Sequence, residues 1–276
     1  MKLIVIGNPI QHSVSPKIHN YWLKKLKINA VYGKRKVTTL ELKGIVDQIR
    51  TGSLKGVNIT LPFKEKIIKH VDTCEEVVNA SGAANTLFLR ENQVVATNTD
   101  GEGFVNSLEK DCDFKTKGKI AFIIGTGGAA RGIITSLIKS GVAEIILMNR
   151  NRKRLMKIKE QFKNDSNEIL KTQEWNEKII PNFVDLLVNC TSVGMREGES
   201  LDINLTEMKK TSIIYDIVYT KESTQLVKEA KKHGLATQRG HAMLVRQAAE
   251  SFKIWFDEYP NEEEIIGLIR DFGKMT

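Results

Sequence analysis

The chain has 276 residues, 41% of them hydrophobic, enough for one large domain or two modest ones with a sizeable buried core. No apolar run reaches the length of a membrane-spanning helix. The three cysteines, Cys74, Cys112 and Cys190, form no CxxC pair, which argues against a disulfide framework or a zinc site. The net charge of +9 is spread along the chain and interleaved with acids, so it suits anionic small molecules better than nucleic acid.

The opening MKLIVIGNPIQHS carries a short apolar run cut by Gly7 and Pro9. It reads as a buried strand and not as a signal peptide, so a cytoplasmic location is expected. Strands are predicted at Lys2–Gly7, Val31–Lys36, Gly56–Thr60, Asn85–Arg90 and Gln93–Thr97, and helices at Ser15–Leu26, Leu40–Thr51 and Lys64–His70. Ser15 is a candidate N-cap, with Pro16 at the first helical position.

The pattern changes at Asp100–Gly103, where a helix runs to about Glu109 and a polar stretch, Asp111–Lys119, follows. Beyond it a strand at Lys119–Ile124, a helix at Gly128–Ser140 and a strand at Ala143–Met148 form a strong βαβ pattern. Further strands are predicted at Val184–Asn189 and Ile213–Ile217, and an amphipathic helix at Met243–Ile254. The whole is an α/β protein with a mostly parallel sheet. A boundary is expected near Asp100, a second crossing near Gln238, and the C-terminal helices are expected to return to the first domain.

Between the strand ending at Ile124 and its following helix lies Gly125-Thr-Gly127-Gly128-Ala129-Ala130, the GxGxxA form of a dinucleotide-binding turn. Gly125 permits the tight turn, Gly127 lets the backbone approach a pyrophosphate, and Ala130 keeps helix and strand close. The next strand ends at Asn149-Arg150, with Arg152 and Arg154 beyond, where an NAD-specific site usually places an acid. Guanidinium groups bind a 2′-phosphate, so NADP is favoured over NAD; Arg152 and Lys153 fit a solvated helix start equally well.

Other polar residues gather at predicted strand ends and tight loops: Ser13 and Ser15, Asn58, Thr60 and Lys64, Asn85, and Asp100. Hydroxyls and amides suit a polyhydroxylated ring, and a lysine beside an aspartate suits proton transfer at a carbonyl oxygen. Each also has a plain reading. Ser15 caps a helix, Asn85 makes a turn, and Lys64 and Asp100 form a surface ion pair.

Taken together, these segments resemble the shikimate dehydrogenase family over essentially the whole chain. The matching motifs are Gly7-Asn-Pro-Ile-Gln-His-Ser-Val-Ser-Pro16, Asn58-Ile-Thr-Leu-Pro-Phe-Lys64, Gly82-Ala-Ala-Asn-Thr86 and Asn98-Thr-Asp-Gly101. They continue with Gly125-Thr-Gly-Gly-Ala-Ala-Arg131, Asn149-Arg150, Asn189-Cys-Thr-Ser192, Tyr215-Asp-Ile-Val-Tyr219 and Met243-Leu-Val-Arg-Gln-Ala-Ala249. The resemblance implies two α/β domains with a cleft between them. Residues 1–100, joined by 239–276, would bind substrate, and residues 101–238 would form a Rossmann-type NADP-binding domain. It implies reversible NADPH-dependent reduction of 3-dehydroshikimate to shikimate by a monomer or homodimer.

Lys64 and Asp100 would then be the catalytic pair. Ser13 and Ser15 would bind the substrate carboxylate, and Asn58, Thr60, Asn85, Tyr219 and Gln247 would complete the substrate site. Gly125, Gly127, Gly128, Ala129, Ala130, Asn149, Arg150, Arg154, Thr191, Ser192, Ile217 and Gly240 would line the cofactor site, with no metal. The chain departs from the family pattern at Asn151, where threonine is frequent, at Lys221, where proline is usual, and at Arg239, where Asp or Asn is common. The alternatives are a quinate/shikimate dehydrogenase preferring NAD and a non-catalytic NADP-binding paralogue.

Overall fold

A computed structural model describes residues 1–162 and 169–270. The first sheet contains β1 (Lys2–Gly7), β2 (Val31–Lys36), β3 (Gly56–Ile59), β4 (Thr73–Cys74), β5 (Thr86–Arg90) and β6 (Gln93–Thr97). Their order is β2-β1-β3-β5-β6-β4. β1 pairs in parallel with β2 and β3, and β4 with β6, while β5 runs antiparallel between β3 and β6. Glu91 and Asn92 turn the β5–β6 hairpin with φ of 51° and 61°, the left-handed geometry that a tight two-residue hairpin needs.

The second sheet contains β7 (Ile120–Ile124), β8 (Glu144–Met148), β9 (Leu170–Gln173), β10 (Leu186–Asn189), β11 (Ile213–Asp216) and β12 (Ala236–Arg239). Its order is β12-β11-β10-β7-β8-β9 with every pair parallel. Helices cover both faces, so β7 reads as the unbroken apolar run Ile-Ala-Phe-Ile-Ile. Strand order reverses between β7 and β10, and the carboxyl ends of such a pair form the crevice where open α/β sheets bind ligands.

The helices are α1 (Ser15–Lys25), α2 (Leu42–Arg50), α3 (Glu76–Ser81), α4 (Asp100–Cys112), α5 (Gly128–Lys139), α6 (Arg152–Gln161), α7 (Gln225–Lys232), α8 (His241–Phe256) and α9 (Glu262–Arg270). α8 and α9 leave the second sheet and cover the first, where Ala242, Val245, Ala249, Phe252 and Trp255 share a core with Leu3, Val5, Trp22 and Tyr32. The fully buried Arg246 of α8 ties this layer together, pairing with Asp111 of α4 at 2.8 Å and with Glu262 of α9 at 2.5 Å. Among the described residues no helix is long and apolar enough to cross a membrane.

Several local expectations change. Ser15 is not the cap of α1: Val14 occupies that position in helical geometry, and no side chain caps the helix. Pro16 fixes the start of the helix, which leaves the Ser15 hydroxyl free of the capping role. The predicted helix at Lys64–His70 shrinks to a single 3-10 turn at Ile67–His70, because Lys64 lies in the turn that follows Pro62. β3 stops at Ile59 and β5 starts at Thr86, so Thr60 and Asn85 stand just outside the ladder. The elements β4, α3, α6, β9, α7, β12 and α9 are not among the predicted ones, and all are short.

Candidate active site

Lys64 and Asp100 meet although 36 residues separate them. Lys64 Nζ donates to Asp100 Oδ2 at 2.5 Å, with side-chain exposures of 13% and 6%. This is not a surface ion pair. Burying two charges is unfavourable unless their remaining hydrogen-bonding capacity is satisfied. Here Asn85 Nδ2 donates to Asp100 Oδ1 at 3.0 Å, and the Asp100 backbone N–H donates to Asn98 Oδ1 at 3.0 Å. The Lys64 segment is pinned in turn by the Ala84 N–H, which donates to the Lys64 carbonyl at 2.9 Å.

The Asn85 amide has a defined orientation. Its Oδ1 accepts from the Thr99 N–H and from Thr86 Oγ1, both at 2.9 Å, so its Nδ2 faces Asp100, Thr99 Oγ1 and, at 3.2 Å, Gln247 Oε1. Gln247 arrives from α8 and is held by its own donation to the Leu244 carbonyl at 2.7 Å. Lys64 and Asn85 thus meet on the Asp100 carboxylate, and Gln247 reaches it through Asn85.

Asn58, expected among the substrate ligands, is instead engaged inside the protein. Its Nδ2 lies within 3.1 Å of the Asn85 carbonyl, Thr86 Oγ1 and Ser251 Oγ, and its Oδ1 accepts from Tyr32 Oη at 2.6 Å. With both amide hydrogens taken up, it braces Asn85 and Thr86 from behind. Ser13 precedes α1, Ser15 opens it, and Thr60 and Tyr219 lie in loops; among the described residues none of the four hydrogen-bonds to the Lys64–Asp100–Asn85–Gln247 cluster. Thr60 lies over the end of β1, where a Cβ on Gly7 would come within 2.5 Å of its methyl group. Burial raises the pKa of the Tyr219 phenol.

The nucleotide side is built from backbone. Gly125 follows β7 with φ +100°, and a Cβ there would sit 2.9 Å from the methyl of Thr191 beyond β10. That close, left-handed turn admits only glycine comfortably. Gly127 caps α5 in extended geometry, and a Cβ on it would meet nothing within 4 Å, so the backbone lies open to a ligand. Ala129 is half-buried and Ala130 fully buried against the sheet. The first turn of α5 holds no acid and no side-chain cap, leaving its N–H groups for an anion.

Asn149 bridges back to this loop, donating to Thr126 Oγ1 at 2.5 Å. Arg150 and Arg154 are exposed, and among the described residues neither is ion-paired, whereas Arg152 lies 3.8 Å from Glu174. Asn151 caps α6, its Oδ1 accepting from the Arg154 N–H at 3.1 Å, which explains a short polar residue there. Thr191 donates to Asn189 Oδ1 at 2.7 Å beside the exposed Ser192. A Cβ on Gly240 would meet the Ile217 carbonyl at 2.0 Å, so those two residues sit against each other. The open glycine cradle, the uncapped helix and the unpaired guanidiniums fit a phosphorylated dinucleotide. Sequence reasoning missed Thr126, Thr99 and Ser251, whose hydroxyls acquire partners only in three dimensions.

A parallel nucleotide-binding sheet whose glycine loop adjoins a buried, amide-held Lys–Asp pair defines a two-domain, nicotinamide-nucleotide-dependent oxidoreductase. Family models agree in chain order. The shikimate dehydrogenase substrate binding domain matches residues 5–87, shikimate / quinate 5-dehydrogenase residues 107–237, and the shikimate 5'-dehydrogenase C-terminal domain residues 240–270. The chain belongs to the shikimate dehydrogenase family. It is 40% identical over 267 residues to the shikimate dehydrogenase (NADP(+)) of Pelagibacter ubique, covering 96% of this chain and 97% of that one. A crystal structure of a shikimate dehydrogenase in complex with NADP+ superposes with a TM-score of 0.90 at 30% identity, covering 100% of this chain and 96% of that chain. The Thermus thermophilus shikimate 5-dehydrogenase in complex with NADP(H) and shikimate gives a TM-score of 0.86 at 30% identity, covering 98% of each chain.

Proposed function

We propose that this chain is an NADP-dependent shikimate dehydrogenase, reversibly reducing 3-dehydroshikimate to shikimate in aromatic amino acid biosynthesis. The observation that carries this reading is the buried Lys64–Asp100 pair lying against the glycine loop of the nucleotide sheet. Gly125, Gly127, Gly128, Ala129 and Ala130 would hold the pyrophosphate, and Asn149, Arg150 and Arg154 the 2′-phosphate end. Thr191, Ser192, Ile217 and Gly240 would border the nicotinamide. When bound, NADPH supplies a hydride to the ketone carbon.

As that carbon is reduced, negative charge grows on the ketone oxygen. The Lys64 ammonium, the nearest donor of the pair, stabilises that charge and delivers the proton that completes the alcohol. Asp100 aims Lys64 through their ion pair, and in the reverse direction the Lys64–Asp100 couple takes the proton back. Ser13 and Ser15 would bind the substrate carboxylate, while Thr60, Asn85, Tyr219 and Gln247 would hold ring hydroxyls or the carboxylate.

The substrate-binding unit would comprise residues 1–100 with the C-terminal segment 239–276, and the NADP-binding unit residues 101–238. The enzyme acts as a monomer or homodimer on small-molecule substrates. A cytoplasmic location suits three cysteines that are all free thiols.

The test is spectrophotometric: oxidation of shikimate and of quinate, each with NADP+ and with NAD+. Turnover confined to shikimate with NADP+ is expected. Preference for NAD+ or equal use of quinate would move the chain to the broader quinate/shikimate reading. NADPH binding without turnover would make it a non-catalytic paralogue.

A further inference from the structure

The glycine loop and Lys64 lie on different sheets, yet they touch. A Cβ on Gly128 would come within 2.8 Å of Lys64 Cβ and 3.0 Å of its Cδ. One turn further along α5, a Cβ on Gly132 would lie 2.9 Å from Asn98 Oδ1, the atom that accepts the Asp100 N–H. The first turns of α5 thus rest on both segments that present the proposed catalytic pair. An interface made of glycine backbone has little side-chain relief to stop one surface shifting along the other.

Arg131 stands between those two glycines, and its side chain is only 4% exposed. Its Nη1 donates to the Ser81 carbonyl at 3.3 Å and to Gln161 Oε1. Its Nη2 lies 3.5 Å from Oε2 of Glu65, the residue next to Lys64. Gln161, at the end of α6, donates Nε2 to the Ala80 carbonyl at 2.8 Å, so the arginine and the glutamine grip the end of α3 together. Arg131 Nε is buried without a hydrogen-bond partner, and burial lowers the guanidinium's pKa. An incompletely satisfied buried cation is a poor stabiliser, so its placement calls for a reason other than stability.

We infer that Arg131 is a positioning residue that fixes the register of the nucleotide loop against Lys64, and so sets where hydride donor and proton donor meet on the substrate. This rests on the roles given above to the glycine loop and Lys64. Reacting atoms tolerate little displacement, since an error near 1 Å can cost about 10²-fold in rate.

The test compares Arg131→Met and Arg131→Lys with the wild-type enzyme in two ways. In the kinetic arm, Arg131→Met is expected to lower kcat about tenfold while the KM for NADP+ stays within about threefold. The deuterium isotope effect with 4-deuterated NADPH should rise as hydride transfer becomes limiting, and Arg131→Lys should recover part of kcat. In the second arm, hydrogen exchange on the protein without cofactor should quicken in peptides covering residues 64–84 and remain unchanged along α8. Unchanged kcat and isotope effect, or exchange that quickens evenly through α8 as well, would overturn the inference in favour of a purely structural arginine. If the wild-type protein fails to turn over shikimate, the functional reading fails, and the exchange arm alone decides whether Arg131 sets the register.

Discussion

The two sheets solve recognition in opposite ways. On the second sheet the site is open: Gly127 presents bare backbone, Arg150 and Arg154 stand in solvent with no ion pair among the described residues, and α5 begins without a side-chain cap. On the first sheet the groups are buried and held by one another. Asp100 is held by Lys64 and Asn85, Asn85 by Thr99 and Thr86, and Asn58 by Tyr32 and Ser251. An open site can take a large charged cofactor and release it. A closed network of directed hydrogen bonds can hold one carboxylate and one ammonium in a fixed relation, which is what proton transfer needs.

The largest effect that would break this comparison is on Lys64. Lys64→Ala should lower kcat by about 10²-fold or more while NADPH affinity, read by fluorescence titration, is retained. An unchanged kcat would remove Lys64 from the chemistry and leave the buried pair as packing alone.

A second effect concerns the closed half. His19 is buried beside this network, stacked on Tyr32 with ring centroids 4.1 Å apart, and among the described residues neither ring nitrogen has a hydrogen-bond partner. Burial pushes its pKa from 6.5 down to about 3. The unfolded chain binds this proton below about pH 6.5 and the folded one refuses it, so this part of the stability is intact above that pH and is lost as pH falls toward 3. The slope is about 1.4 kcal/mol per pH unit, or about 2 kcal/mol by pH 5. Urea unfolding at pH 7 and pH 5 should show that His19→Phe removes this component, and equal pH slopes for the two proteins would count against it.

The open half predicts smaller and more selective changes. Arg150→Ala should raise the KM for NADP+ about tenfold and leave kcat/KM with NAD+ unaltered, because an exposed guanidinium acts only on the extra phosphate. A parallel loss with both nucleotides would mean that Arg150 supports the fold. Smallest is Asn151→Ala, which should cost about 1 kcal/mol through the lost cap of α6 and lower the melting temperature by a few degrees.

The nucleotide half was largely legible because its signals are local. A parallel strand buried on both faces must be continuously apolar, and a turn that approaches a pyrophosphate must be glycine-rich, so β7 and the loop after it carry their own signature. The residues of the closed half were also visible, as polar groups at strand ends. Their relations were not, since Asn58 reads equally as ligand or brace until Tyr32 and Ser251 arrive from positions 26 and 193 residues away. Ser15 read as a cap because its residue type and the following proline allow it, but the backbone at Val14 had already taken that place. By itself, then, the sequence determined the fold class, the cofactor loop and the cast of polar residues, because periodicity, turn geometry and charge act over a few neighbours. Only the tertiary structure decided which of those residues touch: the buried Lys64–Asp100 pair, the brace behind Asn85 and the grip of Arg131 all join segments that chain connectivity leaves far apart, and their energies exist only once water has been excluded between them.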